Sequence, residues 1–153
     1  MTREGTITRS IIEELYEHTL LLADEVRAVF DLGAASEHHS GIDDMRIALS
    51  IEGLRTTTRV MHVLAWLLNQ RAYLEGELSR NQMRRHGALA DERPSDPEQL
   101  EHLLPETRAL IGESEELYER VARLDADWRE NGDDENASAV HGMRSNLKAV
   151  FGS

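Results

Sequence analysis

Apolar residues recur every three or four positions in three long segments of the chain, the spacing that places them on one face of an α-helix. The first predicted helix covers residues 7–32. Ser10 and Glu13 have the spacing of a capping box near its start, and Gly33 follows its end. Its predicted buried face consists of Ile11, Leu15, Leu22, Val26 and Val29.

The second predicted helix, residues 44–78, is the longest, and Asp43 is placed to cap its first turn. It has two apolar stripes, so it is apolar around much of its circumference between residues 58 and 68. We expect it to be the buried centre of the fold, with Trp66 and Met61 in the core. Its second stripe contains Val60, Leu64, Leu67, Leu74 and Leu78. Its main stripe, which we expect to pack against antiparallel neighbours, contains Ile47, Ile51, Leu54, Thr58, Met61, Ala65, Leu68 and Ala72.

Residues 79–96 lose this period and contain Gly87 and Pro94, so they are predicted to be a linker or a frayed helix end. Asp96 followed by Pro97 is a strong helix start, because an aspartate cap and a proline at the first helical position are both favourable. The third predicted helix therefore covers residues 97–128, with a kink near Pro105. Its face consists of Leu103, Leu110, Leu117, Val121, Leu124 and Trp128.

The sequence NGDDENAS then predicts a solvated turn, and the tail, residues 137–153, has apolar residues at helical spacing. These patterns predict an all-α fold, with one domain built as an antiparallel three-helix bundle. The long second helix is at its centre, and a short C-terminal helix is possible.

The amino-acid composition excludes several kinds of functional site and makes some ligands unfavourable. The 153 residues include no cysteine, which excludes disulfides, thiolate metal sites and a cysteine nucleophile. A net charge of −12 argues against nucleic acid as the main ligand. No apolar run approaches the ~20 residues that cross a bilayer, and the first residues lack the apolar run of a signal peptide. We therefore expect a cytoplasmic protein that binds no nucleic acid and no membrane.

Patterns typical of catalysis are missing from the sequence. It has no G-x-S-x-G, P-loop, GxGxxG or H-E-x-x-H motif, so neither an enzyme nor a cofactor site is expected. The segments ELYEH at 14–18 and EQLEH at 98–102 resemble di-iron motifs, but their glutamates and histidines do not have the Glu-x-x-His spacing. We expect no metal site, with His18 as a hydrogen-bonded core residue and His38 and His39 solvated.

Two segments remain as candidates for partner binding, because the predicted core does not use them. The first is a basic cluster in the linker, Arg80, Arg84 and Arg85, followed by His86, which suits an acidic partner or the end of a helix. The second is the apolar face of the tail. It contains Val140, Met143, Leu147 and Phe151. The chain also has more apolar helix surface than a bundle of three helices readily buries, which favours a homodimer.

The stretch LSIEGLRTTTRVMHVLAWLLNQRAYLEGELS at residues 49–79 resembles the bacterial RcdA family, the regulators of CtrA degradation. LLLADEVRAVFD at 20–31 adds to the likeness, which covers about half of the chain. The resemblance implies a three-helix bundle that forms a homodimer. It also implies an adaptor that brings cell-cycle proteins to the ClpXP protease with the help of other regulatory proteins, and no catalytic residues. The residues that support it are Thr57, Thr58, Arg59, Met61, Ala65, Trp66, Leu67, Leu68, Gln70, Arg71 and Ala72.

Two alternatives stay open. A helical bundle can bind a small ligand or metal in its core, here through glutamates and histidines of the first and third helices. The chain can also be a purely structural dimer. Capture of interaction partners and a metal analysis of the purified protein separate these alternatives from an adaptor.

Overall fold

The structure is a computed structural model that describes residues 8–36 and 43–151. Within these residues the protein is all-α, which confirms the predicted fold class, and the long second helix lies at its centre. The five helices within these residues are α1 Arg9–Ser36, α2 Asp43–Leu74, α3 Arg80–His86, α4 Pro97–Leu100 and α5 Pro105–Phe151. In the part of the chain that is described, no helix has the length and apolar character needed to span a membrane.

Helices α1 and α2 form an antiparallel hairpin. Glu13 and Arg71 form an ion pair of 3.0 Å at one end, and Phe30 packs against Gly53 towards the other. The cap of α1 is Thr8, whose hydroxyl accepts a hydrogen bond from the Ile11 amide at 3.3 Å. The predicted capping box at Ser10 was therefore wrong, because Ser10 already lies inside the helix. The helix also continues through Gly33 to Ser36.

Residues 75–104, which we call the return segment, lead the chain back along α2. They follow the end of α2, where Gly76 adopts φ 81°, a left-handed conformation that glycine tolerates. The predicted linker contains α3, which Ser79 and Gln82 cap with a capping box and whose Met83 is buried. Helix α4 begins as predicted, with Asp96 as its cap and Pro97 in its first turn.

Because the return segment retraces α2, helix α5 runs parallel to α2 and antiparallel to α1. Arg59 bonds to Ser114 at 3.0 Å, and seven residues further along α2 the Trp66 indole donates to Asp125 at 2.9 Å. Helix α5 begins at Pro105, so the expected kink inside a helix is instead a helix start.

Helix α5 also corrects the prediction for the C-terminal part of the chain. Its 47 residues continue through the predicted solvated turn, so the tail is the end of α5 and not a separate short helix. The sequence after Pro105 contains no proline, and Gly132 alone costs a helix only about 1 kcal/mol. The polar composition of NGDDENAS predicted a turn although nothing in it forbids a helix.

The core lies between α1, α2 and α5. The predicted faces of α1 and α5 are largely confirmed, and Trp66 is buried as predicted. The main stripe of α2 was wrongly predicted as the packing seam, and Met61 was wrongly placed in the core, because both face away from it. The main core cluster contains Ile12, Leu15, Leu22, Val26, Val60, Val63, Trp66, Leu67, Leu110, Leu117 and Val121. A second cluster contains Ala48, Leu49, Leu103 and Ile111.

Candidate functional site

Four of the exposed large apolar side chains on the described surface lie on the main stripe of α2. Leu54 is 71% exposed and Met61 54% exposed, and Ile47, Thr58, Ala65 and Leu68 are also exposed. The stripe faces outwards because α2 buries its other side against α1 and α5. We call these residues the α2 stripe: Ile47, Ile51, Leu54, Thr58, Met61, Ala65, Leu68 and Ala72.

Charged residues border the α2 stripe on both sides. A groove of about 560 Å³ separates it from the return segment and is lined by Leu54, Arg55, Thr58, His62 and residues 91–93. On the α1 side a second groove brings Met61 together with Asp24, Arg27 and Asp31. The stripe is therefore an apolar strip between two polar margins.

A buried polar cluster fixes the return segment beside the stripe. Arg59 is fully buried and forms an ion pair with Glu92. Its guanidinium also donates to the Ser114 hydroxyl at 3.0 Å and to the Arg93 carbonyl at 3.1 Å. At the other side of the cluster, four residues after Glu92, the Asp96 amide donates to the buried Glu52 carboxylate at 3.1 Å.

Burial raises the pKa of Glu92 above its ordinary value of 4.5, although the hydrogen bond and charge of Arg59 lower it. Tyr118 is tied to the same segment, since its hydroxyl donates to the Ala90 carbonyl at 2.8 Å, and burial raises its pKa as well. All three guanidinium nitrogens of Arg59 take part in contacts that hold α2, α5 and the return segment together. These contacts give the cluster a structural role.

The predicted partner-binding tail lies at the end of α5. Beyond Arg129, every side chain that the structure describes is exposed, including Leu147 at 56% and Val150 at 74%. Met143 is exposed as well, whereas the side chains of Val140 and Phe151 lie outside the described ones. At about 1.5 Å per residue, the helix after Arg129 is about 33 Å long.

The predicted basic cluster lies at the base of this tail. The guanidinium of Arg80 lies 5.7 Å from the centre of the Trp128 ring, and Arg129 donates to the Arg84 carbonyl at 3.4 Å. Arg84 is half-buried, and Arg85 is exposed. The structure thus brings the two predicted segments to one end of the bundle, but it gives Arg80 a packing role that the sequence did not reveal.

Within the described part of the chain, the candidate metal residues are not brought together. His18 was wrongly predicted as a core residue, because its side chain is half exposed and lies 3.7 Å from Glu113 across a cleft between α1 and α5. Among the described side chains, no group of three or more histidine, aspartate or glutamate residues is placed to hold a metal ion. His38 and His39 lie outside the described residues.

Sequence reasoning missed three features of the site: the outward direction of the α2 stripe, the Arg59 cluster and Val150. Val150 could have been found, because it lies three residues after Leu147 on the same helical face. The direction of the stripe could not have been found, because Glu52, Arg59 and Gln70 place polar groups on the side of α2 that is buried. The partners that Glu52 and Arg59 have in the folded chain explain why those two side chains are buried.

A family model described as "Protein of unknown function (DUF1465)" matches residues 3–151. The chain therefore belongs to the DUF1465 family. No curated protein and no solved structure matches the chain.

Proposed function

We propose that this DUF1465 member is a non-enzymatic adaptor that forms a homodimer and holds partner proteins on the tail of α5. Following the resemblance to the RcdA family, it would deliver cell-cycle proteins to the ClpXP protease in the cytoplasm, together with other regulatory proteins. The observation that carries the proposal is the exposed apolar face at the end of α5.

The tail has the pattern of a helix that docks into a groove. Met143, Leu147 and Val150 follow one another at spacings of four and three, so they lie on one side of α5, and all three are exposed. Exposed apolar side chains at this spacing are the anchors by which an amphipathic helix enters an apolar groove of another protein. The tail thus supplies a surface that the described core does not need.

Charge indicates what kind of groove would receive the tail. After Glu135 the chain contains Arg144 and Lys148 and no acidic residue, whereas the whole chain has a net charge of −12. The tail is therefore repelled less than the bundle by an acidic partner. We expect an apolar groove with an acidic rim.

An adaptor needs binding surfaces and no reacting groups. Holding a client beside a protease raises the effective concentration of the client at the protease, without any chemistry by the tether. A dimer presents two tails, so it can engage two partners or bind one partner twice.

The test is to immobilise the full-length protein, expose it to cytosol from its native cells and quantify the ClpX and ClpP that it retains. Leu147→Asp should lose the retained protease or client, because it places a charge on the docking face. Ala149→Asp is the matched control, since it adds the same charge to the other side of the same helical turn. We expect Ala149→Asp to retain what the wild type retains.

Two results would overturn the adaptor proposal. One is that the wild-type protein retains neither protease subunit above a bare matrix. The other is that Leu147→Asp and Ala149→Asp retain equal amounts, which would remove the tail from the proposal. Circular dichroism of both variants checks that the bundle remains folded.

The basic cluster adds a second, separable test. Since Arg80 packs on Trp128, Arg85→Gln is the variant that changes charge at the base of the tail with the least effect on packing. If an acidic partner docks there, Arg85→Gln should slow association, and the difference from wild type should shrink between 0.1 M and 1 M salt. An association rate that is unchanged at low salt would exclude Arg85 from the contact.

A further inference from the structure

The exposed side of α2 carries no formal charge over its central turns. From Thr56 to Gln70 the only charged side chain is Arg59, and Arg59 is fully buried on the other side of the helix. His62, which is half-buried, is the only other ionisable group in this stretch. In a chain with 30% charged residues, such a strip bordered by charged margins has the arrangement of an interface, with an apolar centre and a polar rim.

We propose that the α2 stripe is where two copies of this chain meet, with their α2 helices antiparallel and a two-fold axis between Thr58 and Met61. This inference rests on the homodimer of the proposed function and adds its surface, direction and register. The four-three spacing of the stripe is the spacing of a seam that stays in contact with a partner helix over many turns.

The stripe is complementary to itself when the second copy runs in the opposite direction. Its eight residues are placed symmetrically about the point between Thr58 and Met61, so each residue of the first half meets one of the partner's second half. Three of the four layers then pair residues of unequal size, which lets the side chains interdigitate. The layers are Ile47 with Ala72, Ile51 with Leu68, Leu54 with Ala65, and Thr58 with Met61.

Charge also favours a second copy over an oppositely charged partner. Two chains of net charge −12 repel one another over most of their surfaces, so they can approach closely where formal charge is absent. A strongly basic or acidic partner would find no complementary charge between Thr56 and Gln70. The uncharged centre therefore fits an identical chain better than it fits a charged one.

The register can be tested with single cysteines, because the chain has none of its own. Leu54 and Ala65 are both exposed and form one proposed layer, so Leu54→Cys and Ala65→Cys proteins should form a disulfide when mixed. Neither should link to itself, because two copies of either position are eleven residues apart along antiparallel helices, about 16 Å. A disulfide requires Cα atoms within about 7 Å.

The experiment compares oxidation of each protein alone and of the mixture. Leu21→Cys, at an exposed position of α1 outside the stripe, measures random cross-linking. The expected result is a covalent dimer only in the mixture. Linking of Leu54→Cys with itself, at the level of the mixture, would indicate parallel helices and overturn the proposed register.

Sedimentation tests the proposed α2 interface separately from the proposed homodimer. The wild type should have the mass of two chains at about 10 µM, and Leu54→Asp should halve it, because the charge would lie in an apolar interface. Leu21→Asp should keep the mass of the wild type. A dimer that survives Leu54→Asp and gives no mixed disulfide would overturn the α2 interface alone, whereas a monomeric wild type would overturn the homodimer as well.

Discussion

Arg59 is the residue on which the return segment, α2 and α5 converge. Its side chain is fully buried, and its partners come from both other elements, Glu92 and Arg93 on one side and Ser114 on the other. A buried guanidinium is favourable only when its donors and its charge are matched, as they are here. The residue therefore links three elements that are distant in sequence.

Replacing Arg59 with methionine should destabilise the protein by about 3–5 kcal/mol, because the carboxylate of Glu92, whose side chain is only 14% exposed, loses its partner. Arg59→Lys should also be destabilising, since an ammonium group cannot reach the acceptors that the planar guanidinium bridges. Urea unfolding followed by circular dichroism measures both. A loss below 1 kcal/mol for Arg59→Met would show that the cluster does not hold the return segment.

Glu92 makes the stability depend on pH. Its pKa is raised in the folded protein, so the folded state holds the proton more tightly than the unfolded chain, whose ordinary value is 4.5. The contribution of this group is present at low pH and is lost as the pH rises from 4.5 through the raised value. The sign is opposite to that of an exposed salt-bridged carboxylate.

Glu92→Gln removes this titration while keeping an oxygen that can accept from Arg59. The free energy of unfolding of the wild type minus that of Glu92→Gln should fall as the pH rises above 4.5 and then level off. Urea midpoints between pH 4 and pH 7 measure the difference. A difference that increases with pH would mean that attraction to Arg59 outweighs burial, since Arg59 and His62 lower the pKa whereas Glu115 raises it.

At the scale of single elements, the apolar period located α1 and the first part of α5 but gave the wrong side of α2. The predicted faces of α1 and α5 are apolar over several turns, so their period is clear. The buried side of α2 also contains Glu52, Thr56, Arg59 and Gln70, which a hydropathy pattern assigns to solvent. The partners that allow Glu52 and Arg59 to be buried lie as far away in sequence as Asp96 and Ser114, so the period alone could not reveal them.

This correction changes which leucine matters for stability. The two predicted stripes of the second helix include Leu64 and Leu68, but Leu68 is exposed and Leu64 only half-buried, whereas Leu67 is fully buried. Leu67→Ala should cost about 2–5 kcal/mol. In a chain kept monomeric by Leu54→Asp, Leu68→Ala should cost less than 1 kcal/mol. Equal losses from the two alanine variants would contradict the observed direction of α2.

The crossing of α1 and α2 depends on a glycine. A Cβ atom at Gly53 would lie 2.9 Å from the Phe30 ring, whereas one at Gly112 of α5 would have no neighbour within 4 Å. Gly53→Ala should therefore destabilise the protein by about 1–3 kcal/mol through overpacking. Gly112→Ala should stabilise it by about 1 kcal/mol, the usual gain for alanine inside a helix. Thermal unfolding of both variants measures the contrast, and stabilisation by both would show that Phe30 moves aside.

At the scale of the whole molecule, the bundle and the tail are separate in composition and in exposure. The described side chains after Arg129 are exposed, so the core does not include them. Deleting residues 132–151 should change the free energy of unfolding by less than about 1 kcal/mol and leave the dimer intact. It should abolish partner retention if the tail is the docking element. A large loss of stability after this deletion, measured by urea unfolding, would place the tail in the core.

The return segment determines the order in which the molecule can assemble. The α1–α2 hairpin joins helices that are neighbours in sequence. Helix α5 contacts α2 only after residues 75–104 have closed a long loop, and the entropy cost of closing that loop makes this step slower. Until that loop closes, Arg59 and Glu52 stay hydrated on the side of the hairpin that α5 and the return segment will later cover. These charges should oppose association of partly folded chains through that side of the hairpin. Pulse-labelled hydrogen exchange should show amides of α1 and α2 protected before those of α5.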